Sequence, residues 1–269
     1  MPDYTQGHTS EMMAAHQIRS TSDSCGYFTP LLTSRPTAHI LDVGCGPGSI
    51  TTDLATHVPE GQVIGVDFAK EAIQKASSRP SLPANCTFQV ANVDDRLPFP
   101  DNSFDVVHAH QVLIHLSNPV HALAEMRRVC RSGGFVASRD GDWDTFTIFP
   151  ESPSLKQYRD IHGTIVRSSG ADPNAGRRLR YWAVQAGFSD DRITYSASPV
   201  LFTGPEKVRY WSTLQAERYT KGTFKEQVLS KGLATEEDVA AFGPAWLEWG
   251  EQPGAVYHIS CGEVVCWKD

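Results

Sequence analysis

The chain has 269 residues, 40% hydrophobic and 20% charged, enough apolar material for one α/β domain with a sizeable core and too much for a disordered chain. With 24 Lys plus Arg against 31 Asp plus Glu, the net charge of −7 argues against a nucleic-acid partner, which needs a basic face. No run approaches the roughly 20 consecutive apolar residues of a membrane helix, and no basic-then-apolar leader opens the chain, so a cytoplasmic protein without a membrane span is expected.

In chain order, residues 11–20 (EMMAAHQIRS) have helical spacing and belong to an N-terminal helical cover over 1–38. Short apolar strands are predicted at 39–44, 62–67, 86–91, 104–109 and 134–140, separated by helices at 48–58, 69–78 and 118–131. This β-α-β-α rhythm implies a parallel sheet with helices on both faces, and ligands of such sheets bind at the carboxyl ends of the strands. After residue 140 the pattern changes. Helices are predicted at 157–170 and 177–188, and strands at 190–202 and 261–267 would form an antiparallel closing hairpin. Between those strands, 205–250 is helical and rich in aromatics, including Tyr210, Trp211, Tyr219, Trp246 and Trp249. The reading is one domain over 1–269. Residues 39–140 form a cofactor-binding core, 141–188 and 204–256 a lid, and 190–202 with 257–267 the closing strands. The six cysteines contain no CxxC pair and read as reduced thiols.

The chemistry concentrates at 40-ILDVGCGPGSIT-51. Ile40, Leu41 and Val43 bring a buried strand to a glycine-rich turn, and a helix follows. Gly44 and Gly46 remove the Cβ atoms that would hold a ligand away, and the helix start adds free N–H groups. Nineteen residues after Gly48, Asp67 ends the second strand, where its carboxylate can accept both hydroxyls of a ribose. Asp42 reads as a positioner of the turn, Cys45 as a small packing residue and His108 as facing a packing surface.

With 41-LDVGCGPG-48, 64-IGVDFAKEAI-73, 97-LPFPDNSFDVV-107, 112-VLIHL-116 and 133-GGF-135 in that order, the sequence resembles the class I S-adenosylmethionine-dependent methyltransferases, in particular the quinone-biosynthesis group of small-molecule enzymes. The likeness covers about residues 38–140. It implies a Rossmann-like, mostly parallel seven-stranded sheet and S-adenosyl-L-methionine as cofactor. It also implies that Gly44, Cys45 and Gly46 lie against the methionine part, that Asp67 holds the ribose, and that Phe68 lies on the adenine. Where the family places Asp-Ala after the third strand, this chain has Asn92-Val93. The Asn92 oxygen can still accept from the adenine amine, and the Val93 N–H can donate to a ring nitrogen. His110 matches the position beside the sulfonium, and Arg19, in the N-terminal cover, is placed to bind the cofactor carboxylate. No metal ligands come with the family, and none is expected from Asp140, Asp142 and Asp144.

Methyl transfer from a sulfonium is an in-line displacement with a neutral leaving group, so alignment carries most of the rate. A base is needed only where the acceptor atom holds a proton, and His110, His115 and Asp140 are the candidates. Asp142, Trp143, Phe146, Tyr210 and Trp211 are expected to contact the substrate. An aromatic-lined cavity points to methylation of an O, N or C atom of a planar or lipophilic metabolite, a secondary metabolite or quinone-like ring. Two other readings stay open: an enzyme of this fold turned to a non-methylating reaction such as cyclisation, and a protein methyltransferase or regulator. The oligomeric state is open.

Overall fold

The computed structural model describes residues 19–221 and 223–269, and the side chains of all of these except 219–221 and 223. The helix expected at 11–20 therefore lies, up to residue 18, outside the described residues, and so does the Tyr219 side chain.

Five strands run parallel: β1 (His39–Val43), β2 (Gln62–Asp67), β3 (Cys86–Val90), β4 (Phe104–His110) and β5 (Cys130–Gly141). Their order is β3-β2-β1-β4-β5, so successive connections leave β1 in opposite directions and open a crevice at the carboxyl ends of β1 and β4. Burial follows the period of two. Leu41, Val43, Val107 and Val136 face one core, while Ile40, Val106, Phe135 and Ala137 face another. On the first side pack α4 (Pro119–Val129) and α6 (Ala175–Gln185), through Leu123, Met126, Leu179 and Ala183. On the second side α2 (Ser49–His57) contributes Leu54 and Ala55, and the N-terminal cover contributes Phe28 and Leu32. That cover includes the short helix α1 (Thr21–Ser24); the helix α3 (Lys70–Ser77) follows β2.

The sheet closes antiparallel. β8 (Val256–Trp267) pairs with β5 from Phe135↔Trp267 to Gly141↔Cys261, and β7 (Ile193–Thr203) pairs along the other edge of β8. The expected hairpin therefore forms, with β8 starting five residues earlier than residue 261. The sheet has eight strands rather than the expected seven. The addition is β6 (Thr147–Phe149), which resumes pairing on the first edge of β8 at Thr147↔His258 after the chain loops out at 142–146. Three residues ahead of a proline are too short to carry a period-two signal, so only the pairing with β8 defines this strand.

The lid is more than a cover. α5 (Pro153–Ser168), α7 (Pro205–Lys221), α8 (Thr223–Ser230) and α9 (Glu236–Gly250) pack on the far ends of β6, β7 and β8 around their own core. Leu155, Tyr158, Val228, Phe242 and Trp246 are almost fully buried there. A capping box starts α9: the Thr235 hydroxyl accepts from the Asp238 N–H at 3.1 Å, and the Asp238 carboxylate accepts from the Thr235 N–H at 2.9 Å. Among the described residues, no helix is long and apolar enough to cross a membrane.

Candidate functional site

The turn after β1 is built on backbone that glycine alone takes without strain. Gly44 has φ +68°, and a Cβ there would stand 2.4 Å from Cγ2 of Val112. Gly48, at φ +81°, caps α2, and a Cβ on it would meet the Phe88 ring at 2.6 Å. The turn is held from two sides. Asp67 accepts from the Gly46 N–H at 3.0 Å and from the Ala69 N–H at 2.9 Å, one bond on each carboxylate oxygen. Asp42, beneath the turn, accepts from the Thr51 hydroxyl at 2.6 Å and contacts His108 Nδ1 at 2.7 Å. His108 reaches Cys25 of the N-terminal cover through Nε2 at 3.6 Å, so the cover and the turn share one buried chain of contacts. Burial opposes charge on His108, but the Cys25 sulfur and the Asp42 carboxylate outweigh it and raise its pKa to about 10. Burial, ahead of the Asp42 and Asp67 charges, pushes the Cys45 thiol well up, which leaves it an inert packing residue.

In the crevice lies a cavity of about 120 Å³. Its wall brings together Arg19, Gly44, Cys45, Gly46, Asp67, Phe68, Asn92, Val93 and His110, with His115 beside them. The donor and acceptor set suits a nucleoside. Each Asp67 oxygen can accept further hydrogen bonds, and Phe68, 44% exposed, offers a ring face at the cavity edge. The Val93 N–H, buried at the wall, makes no hydrogen bond within the described residues. Asn92 is partly engaged: its Oδ1 accepts from the Asp94 N–H at 3.1 Å and its Nδ2 donates to Asp95 at 3.1 Å, in an Asx turn.

A second cavity of about 790 Å³ adjoins the first and shares Arg19, His110 and Gln111 with it. Trp143, Tyr210 and Trp211 line it, together with Tyr158, Phe202, Trp246 and Tyr257 from the lid side. Trp211 stacks on Phe202 at 4.2 Å between centroids, and Trp143 on His162 at 3.9 Å. Three expected residues line neither cavity. Asp142 turns into a bidentate ion pair with Arg177, and Phe146 is buried in the lid core against Tyr257. Asp140 lies under the turn Leu113–His115, accepting from the Ile114 N–H at 3.0 Å and the Ser138 hydroxyl at 3.2 Å. Full burial raises its pKa to about 7, and its bonds hold this turn from beneath.

Charge in the large cavity is arginine-rich. Burial, then Arg19 and Arg218, press the pKa of His115 down to about 3; burial and Arg218 likewise lower that of His162. Neutral His115 can therefore accept a hydrogen bond at pH 7, but it is too weak a base to remove a proton readily. Sequence reading missed Gln111, Arg139 and Arg218. Gln111 stands where the cavities meet, at φ +57°, a left-handed backbone uncommon outside glycine. Its N–H donates to the Arg139 carbonyl at 2.8 Å and its Nε2 to Cys261 Sγ at 3.4 Å. A signal was present, because Gln111 follows the last residue of β4.

Residues 34–178 match the family described as "Methyltransferase domain". An uncharacterized methyltransferase, C1B3.06c, of Schizosaccharomyces pombe is 34% identical over 287 aligned positions, covering 99% of this chain and 96% of the relative. The probable methyltransferase ltbC of Aspergillus luteorubrus is 30% identical, covering 99% and 97%. Among solved structures, the [4+2]-cyclase SpnF superposes with a TM-score of 0.55 at 19% identity, over 90% of this chain and 81% of that one, a likeness of fold. The chain belongs to the methyltransferase-domain family, and a glycine turn, a strand-end carboxylate and an adjoining aromatic chamber form its candidate active site.

Proposed function

We propose that the small cavity takes S-adenosylmethionine and the large chamber a planar or lipophilic metabolite whose O, N or C atom is methylated. The observation that carries this reading is that the two cavities meet at Arg19, His110 and Gln111, which gives donor and acceptor one shared threshold. When bound, the cofactor supplies an electrophilic methyl group on a sulfonium and departs as a neutral thioether.

The chain's residues do the rest. Asp67 receives the ribose hydroxyls, Phe68 covers the adenine, and the Val93 N–H and Asn92 oxygen read its edge. Gly44, Cys45 and Gly46 let the methionine portion approach the backbone, and Arg19 takes its carboxylate. Trp143, Tyr210 and Trp211 exclude water and fix the plane of the acceptor. Where the acceptor atom holds a proton, His110, at the threshold of the two cavities, is the base, while His115 faces the cofactor cavity. Asp140 is a positioning residue that holds the Leu113–His115 turn. Six free cysteines, five of them buried, suit a reducing compartment such as the cytoplasm.

The test is turnover on a protonated acceptor. His110→Ala should lower it by roughly 10²–10⁴-fold, the usual contribution of a general base. Wild-type turnover in that variant would remove His110 from the chemistry.

A further inference from the structure

The His110 side chain heads a row that crosses the sheet. In register it neighbours Arg139 on β5, Arg139 neighbours Glu263 on β8, and Glu263 neighbours Ser196 on β7. Register neighbours point to one face of a sheet, so this row lies together beside the junction of the two cavities. Arg139 and Glu263 are 1% and 5% exposed. The Arg139 Nε–H donates to Glu263 at 3.1 Å and to Ser198 at 3.2 Å, and its Nη2 donates to the Pro199 carbonyl at 3.3 Å. Ser196 and Ser198 both donate to the same Glu263 carboxylate. The carboxylate is thus well satisfied by the protein. The guanidinium is not: Nη1 makes no hydrogen bond within the described residues, although Arg139 lines the chamber. Nη1 therefore opens onto the chamber, where an acceptor on a ligand can reach it.

A guanidinium carries donors only, so the ligand group it meets is an acceptor. Among the described residues, the other charged residues of the chamber wall that are at least partly buried are Arg19 and Arg218, whereas Asp23, Glu206 and Lys207 are exposed at the rim. Burial first, and these arginines second, lower the pKa values of His115 and His162. Aromatic walls strengthen any charge interaction made inside them.

We infer that the acceptor is an acid, a planar ring compound carrying a carboxylate or a comparably ionised oxygen that Arg139 receives through its Nη1 edge, with Arg218 in the same chamber. This rests on the methyl-transfer reading only in taking the chamber as the acceptor site. A guanidinium offers five N–H donors in a fixed fork, so Arg139 can hold Glu263 and a ligand oxygen at once. The Glu263 pair fixes the fork before the ligand arrives, and the neighbouring His110 places the anchored ring beside the cofactor cavity.

The experiment is calorimetric titration of the full chain, saturated with S-adenosylhomocysteine, with 2-naphthoate and with its neutral isostere 2-naphthamide. Naphthoate should bind about tenfold or more tightly, the equivalent of one charged hydrogen bond. That preference should fall in Arg218→Gln and vanish in Arg139→Gln. If Arg139→Gln fails to fold because Glu263 is left alone, the double variant Arg139→Gln/Glu263→Gln removes both charges together and is read instead. Equal or tighter binding of naphthamide, binding of neither compound, or a preference that survives the loss of Arg139 would overturn the inference. Failure of wild-type protein to bind S-adenosylhomocysteine would instead tell against the methyl-transfer reading.

Discussion

The two cavities are built in opposite ways. The small one is made mainly of chain segments that end neighbouring parallel strands, and its charged residues are the acids Asp42 and Asp67 with Arg19 at the threshold. The large one is assembled from the cover, the loop after β5 and the lid, and among the described residues its partly buried charges are arginines. The histidines follow suit. His108, against Cys25 and Asp42, is raised to about 10 despite its burial, while burial first, then Arg19 and Arg218, lowers His115 to about 3. One sheet thus holds a buried histidine raised by a carboxylate and another lowered by burial near arginines.

Phe242 is fully buried in the lid core, edge-on to Tyr158 with centroids 6.2 Å apart. Phe242→Ala should destabilise by about 3–5 kcal/mol, measured by denaturant unfolding, because the lid carries a core of its own. S-adenosylhomocysteine affinity of the folded protein should stay unchanged. A loss below ~1 kcal/mol would mean that the lid collapses freely around the vacancy.

Next comes the small cavity. Asp67→Ala removes the acceptor of the Gly46 and Ala69 N–H groups along with the proposed ribose contact. S-adenosylmethionine affinity should drop by about 1.5–3 kcal/mol for bonds to a charged group, read by titration calorimetry. Unchanged affinity would place the cofactor elsewhere.

The smallest effect is a slope with pH. His108 binds its proton more tightly folded than unfolded, so its contribution to stability is complete below its unfolded value near 6.5. The contribution is lost as pH rises toward about 10. His115 has the reverse sign: its depressed pKa makes stability fall as pH drops from 6.5 toward about 3. Thermal unfolding from pH 7 to 10 should therefore show a decline that His108→Gln flattens. An equal decline in that variant would assign the alkaline loss to other groups.

The legible part of the site is the part made of contiguous chain. The Gly44–Gly48 turn, Asp67 at the end of β2 and His110 at the end of β4 announce themselves because strand ends and glycine turns are local features. The lid resisted for a physical reason. Adjacent residues of an irregular loop point in unrelated directions, so Trp143 enters the chamber while Asp142 turns to Arg177 and Phe146 to the lid core. Arg139 was hidden differently, since its strand reads as core and only pairing with β8 brings Glu263 beside it, 124 residues later.

The sequence by itself determined the parallel core, the glycine turn and the aromatic excess, all set by local propensity and short-range pattern. Tertiary structure alone decided which aromatics face the chamber, where β6 joins β8, and that three arginines from three distant segments share one interior. Those outcomes depend on long-range strand register and on the burial of charge, and neither is encoded within a window of neighbouring residues.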